Sequence, residues 1–129
     1  MIQRFAAPIG RKEILALPER YLKSEAVMEV SRVERELANY LSVKHVLAFD
    51  SGRTSLLMAL RALNLNRGDE VIVPAYTCGI VFEVVLRAEL VPIFVDARPG
   101  TFNIDPTPVS KSITPKTKAI IAVHMFGYF

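Results

Sequence analysis

Apolar residues change their spacing several times along this chain, and each change marks a predicted element. Residues 1–23 carry no clear period, and Pro8, Gly10 and Pro18 break any long helix there. The stretch reads as an arm or a loosely packed lead-in. From residue 24 the steps become three and four, with Val30, Val33, Leu37 and Leu41 on one side and Glu29, Arg32, Glu36 and Asn39 elsewhere. That pattern predicts an amphipathic helix in which Arg32 and Glu36 can pair across one turn. A short apolar run at 46–49 predicts a strand. It stops at Asp50, Ser51 and Gly52, after which Leu56, Leu57, Met58, Ala59, Leu60, Ala62 and Leu63 predict a buried helix.

Residues 64–69 form a turn closed by Gly68, and residues 70–74 predict a strand apolar on both faces, the kind that lies in a parallel sheet covered by helices. Thr77 is placed to cap a helix running through Glu89. Residues 91–96 predict a third strand, with Pro92 tolerable only near its start. After a loop at 97–104, Asp105 and Pro106 set the N-cap and first position of a short helix reaching about Ile113. Residues 119–123 predict a fourth strand that ends at His124. The alternation argues an α/β architecture, a three-layer αβα arrangement with a mostly parallel sheet and right-handed crossovers. No helix follows the last strand, so the chain is expected to be part of something longer rather than to complete its sheet with a second copy.

Length and composition narrow the picture. The 129 residues make one domain's worth of chain, and 51% apolar with 22% charged residues is a soluble globular composition. No apolar run approaches the roughly 20 residues that span a bilayer, and the charged start does not fit a secretory signal. The single cysteine, Cys78, excludes an internal disulfide and fits a reducing compartment, so a cytoplasmic location is the default. The net charge of +3 comes from basic residues interleaved with acids, which implies neither nucleic acid nor a membrane surface as partner.

The candidate chemistry lies where the predicted strand at 46–49 meets the predicted helix. Ser51 or Asp50 can cap the helix start, and Gly52 lets a ligand approach the backbone. Free N–H groups and the positive end of the helix dipole make an anion site there, with Arg53 and Thr54 adding a charge and a hydroxyl. The plainer reading is an ordinary capped turn. On these residues alone it carries more weight, because a single glycine is a weaker signal than a phosphate loop.

The blocks FDSGRTSLLMALRAL, NRGDEVIVPAYTCG, LVPIFVDARPGTFNIDP and ITPKTKAIIAVHMFG, in that order, resemble the N-terminal third of the DegT/DnrJ/EryC1/StrS sugar aminotransferases. The resemblance covers about residues 24–129. It implies the large domain of a pyridoxal-phosphate enzyme of the aspartate aminotransferase fold (fold type I), here incomplete. It further implies a homodimer with cofactor sites at the subunit interface, and amino transfer from glutamate to a keto-sugar nucleotide. In the family's Ser-Gly-Thr-x-Ala-Leu turn, which holds the cofactor phosphate, Ser51, Gly52 and Leu56 match, while Arg53 stands in place of Thr, Thr54 fills the variable position and Ser55 replaces Ala. In the Pro-Ser-x-Thr-aromatic loop, Pro74, Tyr76 and Thr77 keep the frame, and Cys78 stands where the family stacks an aromatic ring on the cofactor. A small packing residue is the simpler reading of Cys78 than a nucleophile, since no His or Lys is near it in sequence. Val123, His124 and Gly127 match the Val-His-x-x-Gly block. His124 there is either a ligand group at a strand end or a satisfied structural histidine. His45 reads as a surface residue, and Asp96 as structural or loop-positioning.

The cofactor-binding residues expected from this are Gly52, Arg53, Thr54 and Cys78. No catalytic residue and no metal ligand is expected. The family's Schiff-base lysine and its acidic partner for the ring nitrogen lie beyond the Val-His-x-x-Gly block, and none of the six lysines present has the family's context. The chain by itself is therefore expected not to transaminate and to bind the cofactor weakly or not at all. A non-catalytic regulatory or phosphate-binding module and a self-associating structural fragment remain as alternatives. Self-association is expected in any case, through the last strand or the 1–23 arm.

Overall fold

Val71, Ile72 and Val73 form a β-branched run whose side chains suit a strand packed on both faces. In the structure, a computed structural model that describes residues 25–127 and side chains from residue 28, this run is the middle of β1 (Glu70–Pro74). The arm read at 1–23 lies outside the described residues. β1 is the centre of a three-stranded parallel sheet, between β2 (Val91–Val95) and β3 (Thr117–Ile120). Val71, Ile72, Val73 and Pro74 are all fully buried, which is why no polar residue interrupts the strand. Pro92 pairs in register with Val71 as the second residue of β2, which among the described residues has a neighbour on one side only.

Four helices accompany these strands: α1 (Glu25–Leu41), α2 (Gly52–Ala62), α3 (Gly79–Arg87) and α4 (Pro106–Ser112). The chain divides into two compact units, Met1–Ala48 and Phe49–Phe129. In the second unit, α2 packs on α3, and α3 on β1 and β2. Leu60, Val71, Val73, Val84, Val85 and Leu90 form the resulting core, each worth about 1.5–3 kcal/mol of apolar burial. α4 rests against β2. It starts as expected, with Asp105 Oδ1 accepting from the Thr107 N–H at 2.8 Å and Pro106 in the first turn. In the first unit, Arg32 donates to Glu36 at 2.8 Å along α1, and that hydrogen bond raises the Arg32 pKa above its ordinary value.

Three expectations are corrected. Residues 46–49 are not a strand, because a strand needs a ladder partner and none pairs with them among the described residues. The Ala48 N–H donates instead to the Glu34 carboxylate at 2.8 Å. Thr77 does not cap α3, which begins later, at Gly79, with Cys78 in the cap position, and ends at Arg87 because Glu89 turns left-handed at φ 60°. β3 runs from Thr117 to Ile120 rather than from 119 to 123. The Thr114 and Thr117 hydroxyls donate to the Glu70 carboxylate at 2.6 and 3.0 Å, which draws residues ahead of the apolar run into the sheet.

Candidate functional site: a hollow between two helix starts

The two helices that pack on each other, α2 and α3, start in different ways. Ser51 caps α2: its Oγ accepts from the Thr54 N–H at 3.2 Å, and its carbonyl accepts from the Ser55 N–H at 3.0 Å. A helix start leaves its first amides without intrahelical acceptors, so Gly52 and Arg53 keep theirs available. α3 starts differently. Cys78 is extended (φ −63°, ψ 134°) and makes no side-chain cap bond, because a thiol is a poor acceptor; its carbonyl takes the Val81 N–H at 2.9 Å.

These two starts line one open hollow of about 510 Å³, walled by Ser51, Gly52, Arg53 and Leu56 from the α2 side and by Cys78, Ile80 and Val81 from the α3 side. Two helix dipoles thus present their positive ends to one space, and Arg53 adds a full charge. That is an electrostatic cradle for an anion, with an apolar wall beside it. A Cβ built on Gly52 would meet nothing within 4 Å, so the protein's own packing does not require glycine there, and the bare backbone forms open wall.

The structure therefore brings Gly52, Arg53 and Cys78 together. It does not bring in Thr54, whose amide is taken by Ser51 and whose hydroxyl lies 3.0 Å from Ser51 Oγ. Ile80 and Val81 were missed by sequence reasoning; only the position of the helix start shows that the first turn of α3 faces the hollow. His124 lies past the end of β3, where its carbonyl accepts from the Gly127 N–H at 3.1 Å. Two buried side-chain atoms near the strand ends, Thr77 Oγ1 and Asn103 Oδ1, have no hydrogen-bond partner among the described residues.

The aminotransferase sequence pattern of DegT, DnrJ, EryC1 and StrS matches residues 9–129, nearly the whole chain. The chain belongs to the DegT/DnrJ/EryC1/StrS aminotransferase family. Among curated relatives of this family, the 3-oxo-glucose-6-phosphate:glutamate aminotransferase of Bacillus subtilis is 43% identical over 98 residues, 76% of this chain and 22% of the relative. GDP-perosamine synthase of Caulobacter vibrioides is 43% identical over 94 residues, 73% of this chain and 25% of the relative. The crystal structure of ntda from Bacillus subtilis with bound cofactor PMP superposes with a TM-score of 0.75 at 35% identity, covering 92% of this chain and 29% of that one. The chain thus spans less than a third of the length of each of these three relatives.

Membership places the sheet and its helices in the fold-type-I architecture, and pyridoxal phosphate is the cofactor of the family. The hollow suits the phosphate end of that cofactor: amides without intrahelical acceptors at two helix starts, Arg53 in the lining, and open backbone at Gly52. Among the described residues no helix is long and apolar enough to cross a membrane.

Proposed function

We propose that this chain is the phosphate-holding part of a pyridoxal-phosphate aminotransferase that aminates a keto-sugar nucleotide with glutamate as donor. The observation that carries this reading is the convergence of two helix starts and Arg53 on one hollow. In it, the Gly52 and Arg53 amides and the Arg53 guanidinium hold the phosphate. Thr54 acts one step removed, keeping Ser51 in its cap position. Cys78 lies against the cofactor ring where relatives have an aromatic residue, a thinner but polarizable contact. When bound, the cofactor supplies the electron sink for amino transfer. This chain's residues seat and orient it, and Leu56, Ile80 and Val81 keep water off one side.

In the same reading residues 24–129 belong to the large domain, with residues 1–23 as its arm, and the working enzyme is a cytoplasmic homodimer. The chain alone does not transaminate, because no lysine stands in the family's attachment context. Titration with pyridoxal 5′-phosphate, pyridoxal and inorganic phosphate tests the seat. Pyridoxal phosphate is expected to bind more tightly than pyridoxal, inorganic phosphate to compete with it, and Gly52→Ala to weaken it without loss of stability. Equal binding of pyridoxal and its phosphate would sink the reading. Incubation with glutamate should give no half-reaction; turnover with one specifically labelled lysine would overturn the inactivity.

A further inference from the structure

Glu34 has Val30, Ser31, Leu37 and Ala38 one turn away along α1, so no cation is placed to pair with it on the helix. Glu36 and Glu83, by contrast, each bond an arginine four residues away. The Glu34 carboxylate is used across the chain instead: its Oε1 accepts the Ala48 N–H at 2.8 Å, 14 residues on. A surface carboxylate that catches a loop amide by chance is the plainer account. Two features of the chain between these residues argue that the meeting is built.

The first is the turn that ends α1. Ser42 takes φ 54°, a left-handed conformation for which glycine is the usual occupant. Its N–H donates to the Asn39 carbonyl at 3.2 Å, and the Val43 N–H donates to the Ala38 carbonyl at 3.0 Å, the paired bonds of a Schellman turn. A serine held there carries backbone strain, and what the turn delivers is a chain that runs back along α1. Ser31, Glu34, Arg35 and Ala38, one face of the helix, accordingly line a hollow together with residues 44–47. The second feature is that residues 46–49 have no ladder partner among the described residues, so their amides must be met by something other than a sheet. Glu34 meets the one at Ala48. Ser51, the cap of α2, follows three residues later, within about 11 Å of chain.

We infer that Glu34 is a positioning residue for the cofactor seat: by fixing the backbone at Ala48 it sets where the chain enters the Ser51 cap. The bond lies within the first unit, and it acts on the second only along the backbone of residues 48–51. A free entry would let Ser51 leave the geometry in which its Oγ and carbonyl hold the Thr54 and Ser55 N–H groups, and the Gly52 and Arg53 amides between them would lose their aim. Glu34 does not line the seat and acts through Ser51. The ligand class rests on the aminotransferase reading; the anchoring of the cap does not.

Amide hydrogen exchange on the full 129-residue chain tests this with three substitutions. Glu34→Ala removes the acceptor, Glu34→Asp keeps the charge but is one methylene too short, and Glu34→Gln keeps the reach with a neutral oxygen. Glu34→Ala and Glu34→Asp are expected to speed exchange at Ala48, Thr54 and Ser55 about fivefold, roughly the worth of one hydrogen bond, and Glu34→Gln to keep most of the protection. The Thr107 N–H, capped by Asp105 in α4, is the control and should not change. Unchanged exchange at Thr54 and Ser55 in Glu34→Ala, or Thr107 rising in step with them, overturns the positioning role. Should Glu34→Ala unfold the chain, equal protection in Glu34→Asp and Glu34→Gln overturns it. Titration with pyridoxal phosphate then separates the anchor from the seat. Glu34→Ala and Glu34→Asp are expected to bind it about fivefold more weakly, with pyridoxal unaffected. Equal binding by Glu34→Ala and the unsubstituted chain removes the positioning role alone. No binding to any of the four chains, with Thr54 and Ser55 still loosened, removes the cofactor seat and leaves Glu34 as the anchor of the cap.

Discussion

In α3, Val84 and Val85 are fully buried against the sheet, whereas in α1 Val30, Val33, Leu37 and Leu41 remain between 43% and 57% exposed. Both helices carry apolar residues at helical spacing, and both have an i,i+4 ion pair on the polar side, Arg87–Glu83 and Arg32–Glu36. Local sequence therefore made the two equivalent. They differ in what lies within reach along the chain. α3 sits between β1 and β2, so the strands it covers are its immediate neighbours, and a few residues of loop bring them together. α1 is followed by residues 46–49, which find no strand among the described residues, so no sheet forms next to it in sequence. A stripe specifies which face of a helix is apolar, and topology specifies whether anything covers it.

The sharpest way to break that comparison is to cut into the covered side. Ile72→Ala, in the middle of β1 with no exposed surface, should lower stability by about 2–5 kcal/mol, because the strand is held on both sides and cannot collapse onto the void. Urea unfolding measures this as a lower midpoint with unchanged slope. A loss below about 1 kcal/mol would mean that the sheet is loosely packed in solution and that the contrast with α1 is not real.

Helix starts give a second, smaller contrast. Asp105 and Ser51 cap α4 and α2 through their side chains, while Cys78 leaves α3 uncapped. Asp105→Ala should cost about 1 kcal/mol. Cys78→Asp should change stability in the other direction, by up to about 1 kcal/mol, since its carboxylate can accept the free amides of α3. The same change should weaken pyridoxal phosphate binding, because it occupies those amides and places a negative charge in the hollow. Thermal unfolding and a phosphate titration on one sample decide it. A variant that is both more stable and an equally good binder would show that the α3 start takes no part in the site.

These contrasts also explain how much was legible in the sequence. Ser51 and the Asp105–Pro106 pair were readable because capping is settled within three or four residues. β1 was readable because a run buried on both faces has no polar position to hide. The strand expected at 46–49 failed for the converse reason: its apolar residues state a preference, but a ladder requires a partner, and the partner is a property of the whole fold. Thr77 failed more narrowly. Threonine is the better cap by chemistry, yet the chain leaves β1 so that the cap falls one residue later, on Cys78, and the helix starts at Gly79. The hollow was half legible, since Gly52 and Arg53 announce a helix start, but that a second helix start faces the first is visible only once β1 fixes both.

The smallest expected effect tests the uncovered side. Val33→Ala in α1 removes two methyl groups from a side chain that is 50% exposed. At about 0.8 kcal/mol per buried carbon, half-burial puts the lost transfer energy near 0.8 kcal/mol as an upper bound, since the unfolded chain also covers part of its apolar surface. Against this, alanine is a better helix former than valine by roughly 0.5 kcal/mol, because a β-branched side chain loses rotamer freedom in a helix. The two contributions nearly cancel, so the change in stability should be within about 0.5 kcal/mol of zero. A loss above 1 kcal/mol in urea unfolding would mean that the α1 stripe is covered in solution. If that loss grew with protein concentration, the cover would be a second copy of the chain, as the homodimer reading requires; if it did not, the stripe would be packed within the chain itself, and the difference between α1 and α3 would disappear.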